Sequence, residues 1–247
     1  MTLSGKTAIV TGGGRDIGSA CAIRLAREGA NVVINYFASA DRAHATVDAI
    51  TAAGGQAIAV QGDLSKPDGV DALVAKAVET YGTVDILVNN TGGLIARKTV
   101  GEMPLEHWQA VMDLNVTSTF LMTKAVLAHM SKGAIVNIAS QAGRDGGGPG
   151  AVAYATSKGA IMAMTRGLAK ELGPDIRVNA LCPGMIDTDF HNIFTKPEVR
   201  KNVEAATPLK RQGRSEDVAN MVCFLASDEA SFVTGANVDI NGGMLFS

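Results

Sequence analysis

Aromatic residues are scarce in this chain: they make up 4% of its 247 residues, with a single Trp. A core must therefore be built from Ala, Val, Ile and Leu, the small and branched side chains that fill the space between a sheet and its helices. Cysteine is as sparse. Cys21, Cys182 and Cys223 are scattered, with no CxxC pair, and an odd count argues against a disulfide framework, so they read as small buried apolar residues. His44, His107, His129 and His191 are too dispersed to suggest a metal site. No run of 18 apolar residues occurs, and residues 1–6 lack the apolar core of a signal peptide. The default expectation is a cytoplasmic, reducing location without a membrane partner. Charge of neither sign dominates: 22 Lys and Arg face 24 Asp and Glu, for a net charge of -2. That balance gives no reason to expect nucleic acid or an anionic membrane surface.

What is present is an ordinary globular composition, 47% hydrophobic and 19% charged, long enough for a full core in one α/β domain. Short apolar runs rich in β-branched residues recur at 6–11, 31–35, 56–61, 84–89, 134–139, 176–181 and 236–240. Helical patterns lie between them at 20–28, 41–53, 67–81, 105–130 and 215–226, the last with Ser215 as its expected cap. Strand–helix alternation without hairpins predicts a parallel, doubly wound sheet with helices on both faces, a Rossmann-like fold. Nothing in composition divides residues 1–247. Residues 187–212 break the rhythm. The tract Gly146-Gly147-Gly148-Pro149-Gly150 reads as a mobile loop.

In such a sheet the ligand lies beyond the carboxyl ends of the strands, and the unusual polar and glycine residues cluster at those ends. The first strand runs into Thr11-Gly12-Gly13-Gly14-Arg15-Asp16-Ile17-Gly18 and then a helix. Glycines admit a phosphate close to the backbone, and the helix N-terminus offers free N–H groups and the positive end of a dipole. After the second strand, where an acid commonly holds the ribose of NAD, stands Asn35-Tyr36-Phe37. With no acid there to repel a 2′-phosphate, and with Arg15 and Arg42 as candidates to pair with it, the pattern favours NADP(H), with NAD(H) as the alternative. Asp63 ends the third strand with a carboxylate suited to the adenine amino group, or simply to a turn. Asn90 follows the fourth strand, Ser140 the fifth, and Pro183-Gly184 the sixth.

The stretch Tyr154-Ala155-Thr156-Ser157-Lys158 sits in helix-favouring sequence, so Tyr and Lys project from one face, one turn apart. A lysine charge beside a phenol is expected to lower its pKa toward working pH, making it a proton donor or acceptor for an alcohol or carbonyl. Alone, the pair is also what a solvated Lys near a half-buried Tyr would leave. Ser140 and Tyr154 flank one loop, which can bring both hydroxyls to a single carbonyl oxygen.

These motifs together resemble the short-chain dehydrogenase/reductase family in its compact single-domain branch. The carriers are Thr11-Gly12 with Gly18, Asp63-Leu64, Asn89-Asn90 with Gly92, Asn115-Val116, Ser140, Tyr154 with Lys158, Pro183-Gly184, Thr188 and the tail Gly235, Asp239, Gly242-Gly243. They span nearly the whole chain. The resemblance implies Tyr154 as general acid/base, Lys158 as its partner and holder of the nicotinamide ribose, Ser140 as the group orienting the carbonyl, and Asn115 as support for a water relay. It implies a cofactor site drawn from Gly12, Arg15, Asp16, Ile17, Gly18, Tyr36, Asp63, Leu64, Asn90, Gly92, Tyr154, Lys158, Pro183, Gly184, Ile186 and Thr188, with no metal. It also implies a substrate lid over residues 187–212 and a dimer or tetramer.

The chain departs from the family in three places. Asp16 stands where the family's turn has Gly, Phe37 where many NADP-using relatives have Arg, and Asn241 where an Asp is common. The overall look is similar to 3-oxoacyl-(acyl-carrier-protein) reductases, and docking such a carrier would need exposed basic residues near the entrance, for which Lys124, Lys132 and Lys170 are candidates. Phe190, Ile193 and Phe194 would wall an apolar pocket, with His191 and Asn192 for polar contacts. The expected activity is hydride transfer between NADP(H) and a ketone or secondary alcohol. The alternatives are an NAD-dependent sugar or polyol dehydrogenase and, remotely, a nucleotide-binding regulatory protein without chemistry.

Overall fold

The computed structural model describes residues 1–247. Seven strands, β1 (Thr7–Val10), β2 (Asn31–Tyr36), β3 (Gln56–Gln61), β4 (Ile86–Asn89), β5 (Gly133–Ile138), β6 (Ile176–Pro183) and β7 (Asn237–Ile240), form one sheet in the order β3-β2-β1-β4-β5-β6-β7. Every pairing is parallel, as expected where each strand is followed by a helical crossover. The order reverses direction between β1 and β4. That opens a crevice at their carboxyl ends.

The apolar runs are continuous because both faces of the sheet are covered, yet the period of two survives inside them. Val10, Val32, Ile34, Val88 and Val136 pack with helices α1 (Asp16–Arg27), α2 (Ala40–Ala52) and α10 (Ser215–Ala226). Their neighbours Ile9, Val33, Leu87 and Ile135 point the other way, into a second cluster with α3 (Pro67–Tyr81), α5 (Ser118–Val126) and α7 (Val152–Leu172). Cys21, Cys182 and Cys223 are all buried and unpaired, the packing role expected of them.

Several boundaries differ from expectation. Helix α1 starts at Asp16 rather than at 20: Arg15 is extended, Asp16 at φ +49° turns the chain, and residues 17–19 are already helical. The segment expected as one helix over 105–130 is α4 (Leu105–Met112), a wide π turn over Asp113–Thr117, and α5. At α10 the cap is not Ser215, which is the first helical residue. Asp217, one turn in, instead accepts the Arg214 backbone N–H at 2.7 Å. The glycine tract is tied down at two points, by Arg97 Nη1 donating to Pro149 O at 2.9 Å and Lys98 N donating to Gly150 O at 3.1 Å. It follows a short helix, α6 (Ala142–Asp145). The stretch 187–212 contains two helices, α8 (Asp189–Phe194) and α9 (Pro197–Ala206).

Candidate active site

The glycine turn is built by contacts that only hydrogen in place of a side chain allows. Gly12 has φ +59°, and a Cβ on Gly18 would lie 2.3 Å from Gly12 O and 2.6 Å from Asn90 Nδ2. The turn is braced from two strands. Thr11 Oγ1 accepts the backbone N–H groups of Asn90 and Thr91, each at 2.9 Å, and Asn90 Nδ2 donates to Thr11 O and Gly12 O. Asn35, almost wholly buried, accepts from Gly12 N and donates to Gly62 O, stitching the turn to the end of β3. Sequence reading noted Asn35 only for not being an acid. Its bridging role depends on strands β1, β2 and β3 lying side by side, which local sequence does not carry. A Gly18→Ala substitution forces backbone to move and should destabilise the fold by about 1–3 kcal/mol. Thermal unfolding together with a cofactor titration would measure both that loss and the expected loss of cofactor affinity.

Asp63 uses one carboxylate oxygen locally: Oδ1 accepts from Ser65 N at 3.0 Å and Ser65 Oγ at 2.7 Å. The turn role weighed beside the adenine role is therefore occupied, and Oδ2 remains for a ligand. Leu64 turns its side chain into the core, leaving only its backbone for the groove. Tyr36 lies at the groove wall with its ring edge against His44, centroids 5.9 Å apart. Ile186 is buried and pairs with Gly213. Thr188 Oγ1 donates to Ile186 O at 3.1 Å. Gly184 follows β6, and a Cβ there would press on Asn241 at 2.8 Å.

Asn115 lies in the π turn, fully buried. Widening a helix by one residue aims a side chain that a regular helix would turn aside, and such turns favour functional sites. Its amide closes a two-way clamp on Gly93, accepting Gly93 N–H at 3.0 Å and donating to Gly93 O at 2.9 Å, and Nδ2 also reaches Val111 O at 2.9 Å. Gly92 sits against both Asn115 and Lys158: a Cβ there would be 2.5 Å from Asn115 Oδ1 and 3.0 Å from Lys158 Nζ. Three residues that sequence places far apart thus meet under the crevice.

Tyr154 and Lys158 project from the first turns of α7 on one face, with Lys158 Nζ 5.8 Å from the Tyr154 ring centre. Lys158 is buried and donates to Ile138 O at 2.7 Å. Burial, the dominant effect, lowers its pKa to about 8. The expected lowering of the Tyr154 pKa does not hold. Burial raises it, and the Ser140 hydroxyl only opposes that shift. A desolvated lysine that is itself reluctant to hold charge is a weak source of field for a desolvated phenol.

The shift of Lys158 has a stability consequence. Its folded pKa lies below the ordinary 10.5, so below about pH 8 the fold carries the full penalty of a buried charge. Between about 8 and 10.5 the folded lysine has released a proton that the unfolded chain keeps, and stability rises with pH. The stability of the native chain relative to Lys158→Met should climb across that window by at most about 1.4 kcal/mol per pH unit. Urea unfolding of both proteins from pH 7 to 10 would show it.

The Ser140 loop is anchored from the far side. Ser140 Oγ accepts Ala142 N–H at 3.1 Å, and Gln141 N donates to Pro183 O at 2.9 Å. Arg144 forms a largely buried ion pair with Asp239 at 2.8 Å and donates to Asn237 O. Against the phenol lies Phe190, ring centres 5.6 Å apart, itself packed at a tilt on Phe194 with ring centres 5.1 Å apart. Arg97 Nε donates to Phe194 O at 2.9 Å, holding α8 to the loop that carries Arg97. Arg97 was missed by sequence reading, since no motif marks it. His191 is held neutral, its pKa lowered to about 4 chiefly by burial.

The glycine turn, Ser140, Tyr154, Lys158 and α8 all line one continuous groove of ≈ 1320 Å³. That exceeds the few hundred to about 1,000 Å³ typical of a single-ligand pocket, so there is room for a dinucleotide and a substrate side by side. Gly12, Gly18 and Gly92 line that groove with backbone rather than side chains, the surface that the diphosphate and ribose of a nicotinamide dinucleotide require, so the residues present fit that group.

The groove, the strand order and the Tyr–Lys helix find their match in known proteins. A family model described as enoyl-(acyl carrier protein) reductase matches residues 12–245. Glucose 1-dehydrogenase 2 of Bacillus subtilis is 44% identical over 250 residues, covering 98% of this chain and 95% of the relative. The 3-oxoacyl-[acyl-carrier-protein] reductase of Synechocystis sp. is 42% identical over 250 residues, covering 98% of both. The crystal structure of a short chain dehydrogenase from Burkholderia cenocepacia in complex with NADP superposes with a TM-score of 0.93 at 36% identity, covering 99% of each chain. The chain belongs to the short-chain dehydrogenase/reductase family. It is an oxidoreductase with this family's Rossmann-like fold, and the regulatory alternative without chemistry falls away. No helix is long and apolar enough to cross a membrane.

Proposed function

We propose that this short-chain dehydrogenase/reductase is an NADP(H)-dependent ketone reductase or secondary-alcohol dehydrogenase. Bound NADP(H) would supply the hydride chemistry; the chain's own residues position the carbonyl and handle its proton. Tyr154 Oη gives the proton to the carbonyl oxygen, Ser140 Oγ orients that oxygen, and Lys158 steadies the phenol from one helical turn away. Asn115 holds the Gly92-Gly93 strand end at the spacing Lys158 requires. Ile17 and Gly18 offer backbone N–H groups and Gly12 offers space to a diphosphate, and Arg15 and Arg42 the charge for a 2′-phosphate. The observation that carries the reading is the convergence of Ser140, Tyr154 and Lys158 at the wall of the same groove as the glycine turn.

The substrate we favour carries an apolar arm beside its ketone, because Phe190, Phe194, Ile193, Leu94 and Ile95 line the groove beyond Tyr154. A 3-oxoacyl thioester has that shape. Docking of an acidic carrier through Lys124, Lys132 and Lys170 has no support. Lys124 and Lys170 lie in the last turns of α5 and α7, and Lys132 stands just before β5. These are amino-edge positions, opposite the groove, and all three are exposed there. The 44% identity to a glucose dehydrogenase favours a second reading, oxidation of a sugar. We read residues 1–247 as one cytoplasmic domain that assembles as a dimer or tetramer, supported by exposed Leu105, Phe120, Phe224 and Phe232. Light scattering would give the mass.

The deciding assay follows oxidation of NADPH and, separately, NADH with a short 3-oxoacyl thioester, and reduction of NADP with glucose. Turnover of the thioester with NADPH well above NADH supports the favoured reading. Glucose oxidation without thioester reduction moves it to the second.

A further inference from the structure

Four charged side chains from three segments meet at the seam between the glycine turn and the lid. Arg15 and Asp16 come from the turn, Arg42 from the first turn of α2, and Asp189 opens α8. Arg42 Nη1 donates to Asp189 Oδ2. Arg15 Nη1 lies 3.9 Å from that same oxygen and 3.7 Å from Asp16 Oδ2. Asp16 Oδ1 accepts the backbone N–H of Asp189 at 3.4 Å. The lid therefore begins on a carboxylate held by both arginines offered to a 2′-phosphate, and on a hydrogen bond to the turn itself.

Asp16 adopts φ +49°, a left-handed conformation that glycine takes freely and that aspartate tolerates better than most residues. Glycine would sit there without strain. The chain keeps an aspartate in that position, and what its carboxylate does is reach the lid backbone and face Arg15. A broken local rule joined to a long-range contact is what a functional constraint leaves behind.

We propose that Asp189 is a specificity-determining residue that competes with the 2′-phosphate of NADP(H) for Arg15 and Arg42, and that Asp16 ties the start of the lid to that competition. This rests on the cofactor reading above. A 2′-phosphate brings more charge than one carboxylate and three strong acceptor oxygens. When it engages the arginines, Asp189 is left beside Asp16 without a counter-charge, and the first turn of the lid comes away from the glycine turn. NAD(H), with a hydroxyl at that position, leaves the four-residue cluster as it is. The lid thus responds to which dinucleotide is bound.

The two acids are expected to act differently, which makes the inference testable. Dissociation constants for NADPH and NADH would be measured by cofactor fluorescence on the native chain, Asp189→Asn, Asp16→Gly and Arg42→Ala. Asp189→Asn should tighten NADPH about three- to tenfold, the scale of one or two exposed ion pairs, and change NADH less than about twofold. Asp16→Gly removes a charge near the diphosphate common to both dinucleotides, so it should tighten both by a similar factor while keeping or raising the melting temperature. Arg42→Ala should weaken NADPH alone. Amide exchange over Asp189–Phe194 should be faster with NADPH than with NADH in the native chain, and equal in Asp189→Asn. Equal shifts for both cofactors in Asp189→Asn, or none in either, would overturn the competition. A native chain that binds neither dinucleotide would overturn the cofactor reading and this inference with it.

Discussion

Replacing Tyr154 with phenylalanine should lower kcat by about 10²–10⁴, the range of a positioned general acid. The substitution deletes one oxygen and keeps the ring, so the contact with Phe190 at 5.6 Å and the packing of α7 persist. Affinity for NADPH should stay within about threefold, well under 1 kcal/mol. The split between the two readouts is the point: a variant that lost its fold would lose both. Burial raises the pKa of the phenol, which favours the protonated form needed to give a proton in the direction of reduction. Steady-state rates with a ketone substrate, paired with a fluorescence titration of NADPH, would measure both. A kcat within tenfold of the native value would remove Tyr154 from the chemistry.

Replacing Asn115 with alanine should destabilise the chain by about 3 kcal/mol or more, because a buried donor or acceptor left without its partner costs about 1–3 kcal/mol. Two such groups depend on it, Gly93 N–H and Gly93 O, and Val111 O loses the Asn115 donor. For a chain of this size that corresponds to a fall in Tm of about 6–12 °C. Activity should drop further than stability explains. Gly92 lies against both Asn115 and Lys158, so a slackened Gly93 moves the wall that sets the lysine. Calorimetry gives the first quantity. The second is kcat measured well below the variant's melting range. A variant with native Tm would show that the clamp on Gly93 contributes nothing.

Much of this was legible in the sequence because it is written in local terms. Strand–helix alternation dictates a parallel sheet, since parallel neighbours need a crossover and covered faces need continuous apolar strands. The Tyr154–Lys158 spacing places both on one helical face whatever the surroundings. Glycines at 12 and 18 announce a close backbone approach. The order of these motifs along the chain was enough to point to the family. Other features lay beyond sequence reading because they join segments distant along the chain. The π turn at Asp113–Thr117 is invisible to a 3.6-residue periodicity. Asn35 and Arg97 do their bracing across strands and loops.

The pKa of Tyr154 shows the division most sharply. Sequence proximity to a lysine argued for a lowered value, while burial of both groups reversed it, since desolvation depends on everything packed around a side chain and not on its neighbour alone. The lysines at 124, 132 and 170 looked available for a docking partner until strand direction put them at the wrong edge. Asp16 stood out in sequence only as a departure from glycine, and the fold sets the Asp189 backbone against it. The sequence by itself determined the strands, their order and the family, because periodicity, turn chemistry and motif spacing act within a few residues. The tertiary structure alone decided which charges meet, which groups lose water and which edge they face, because those depend on distances that the chain closes only when it folds.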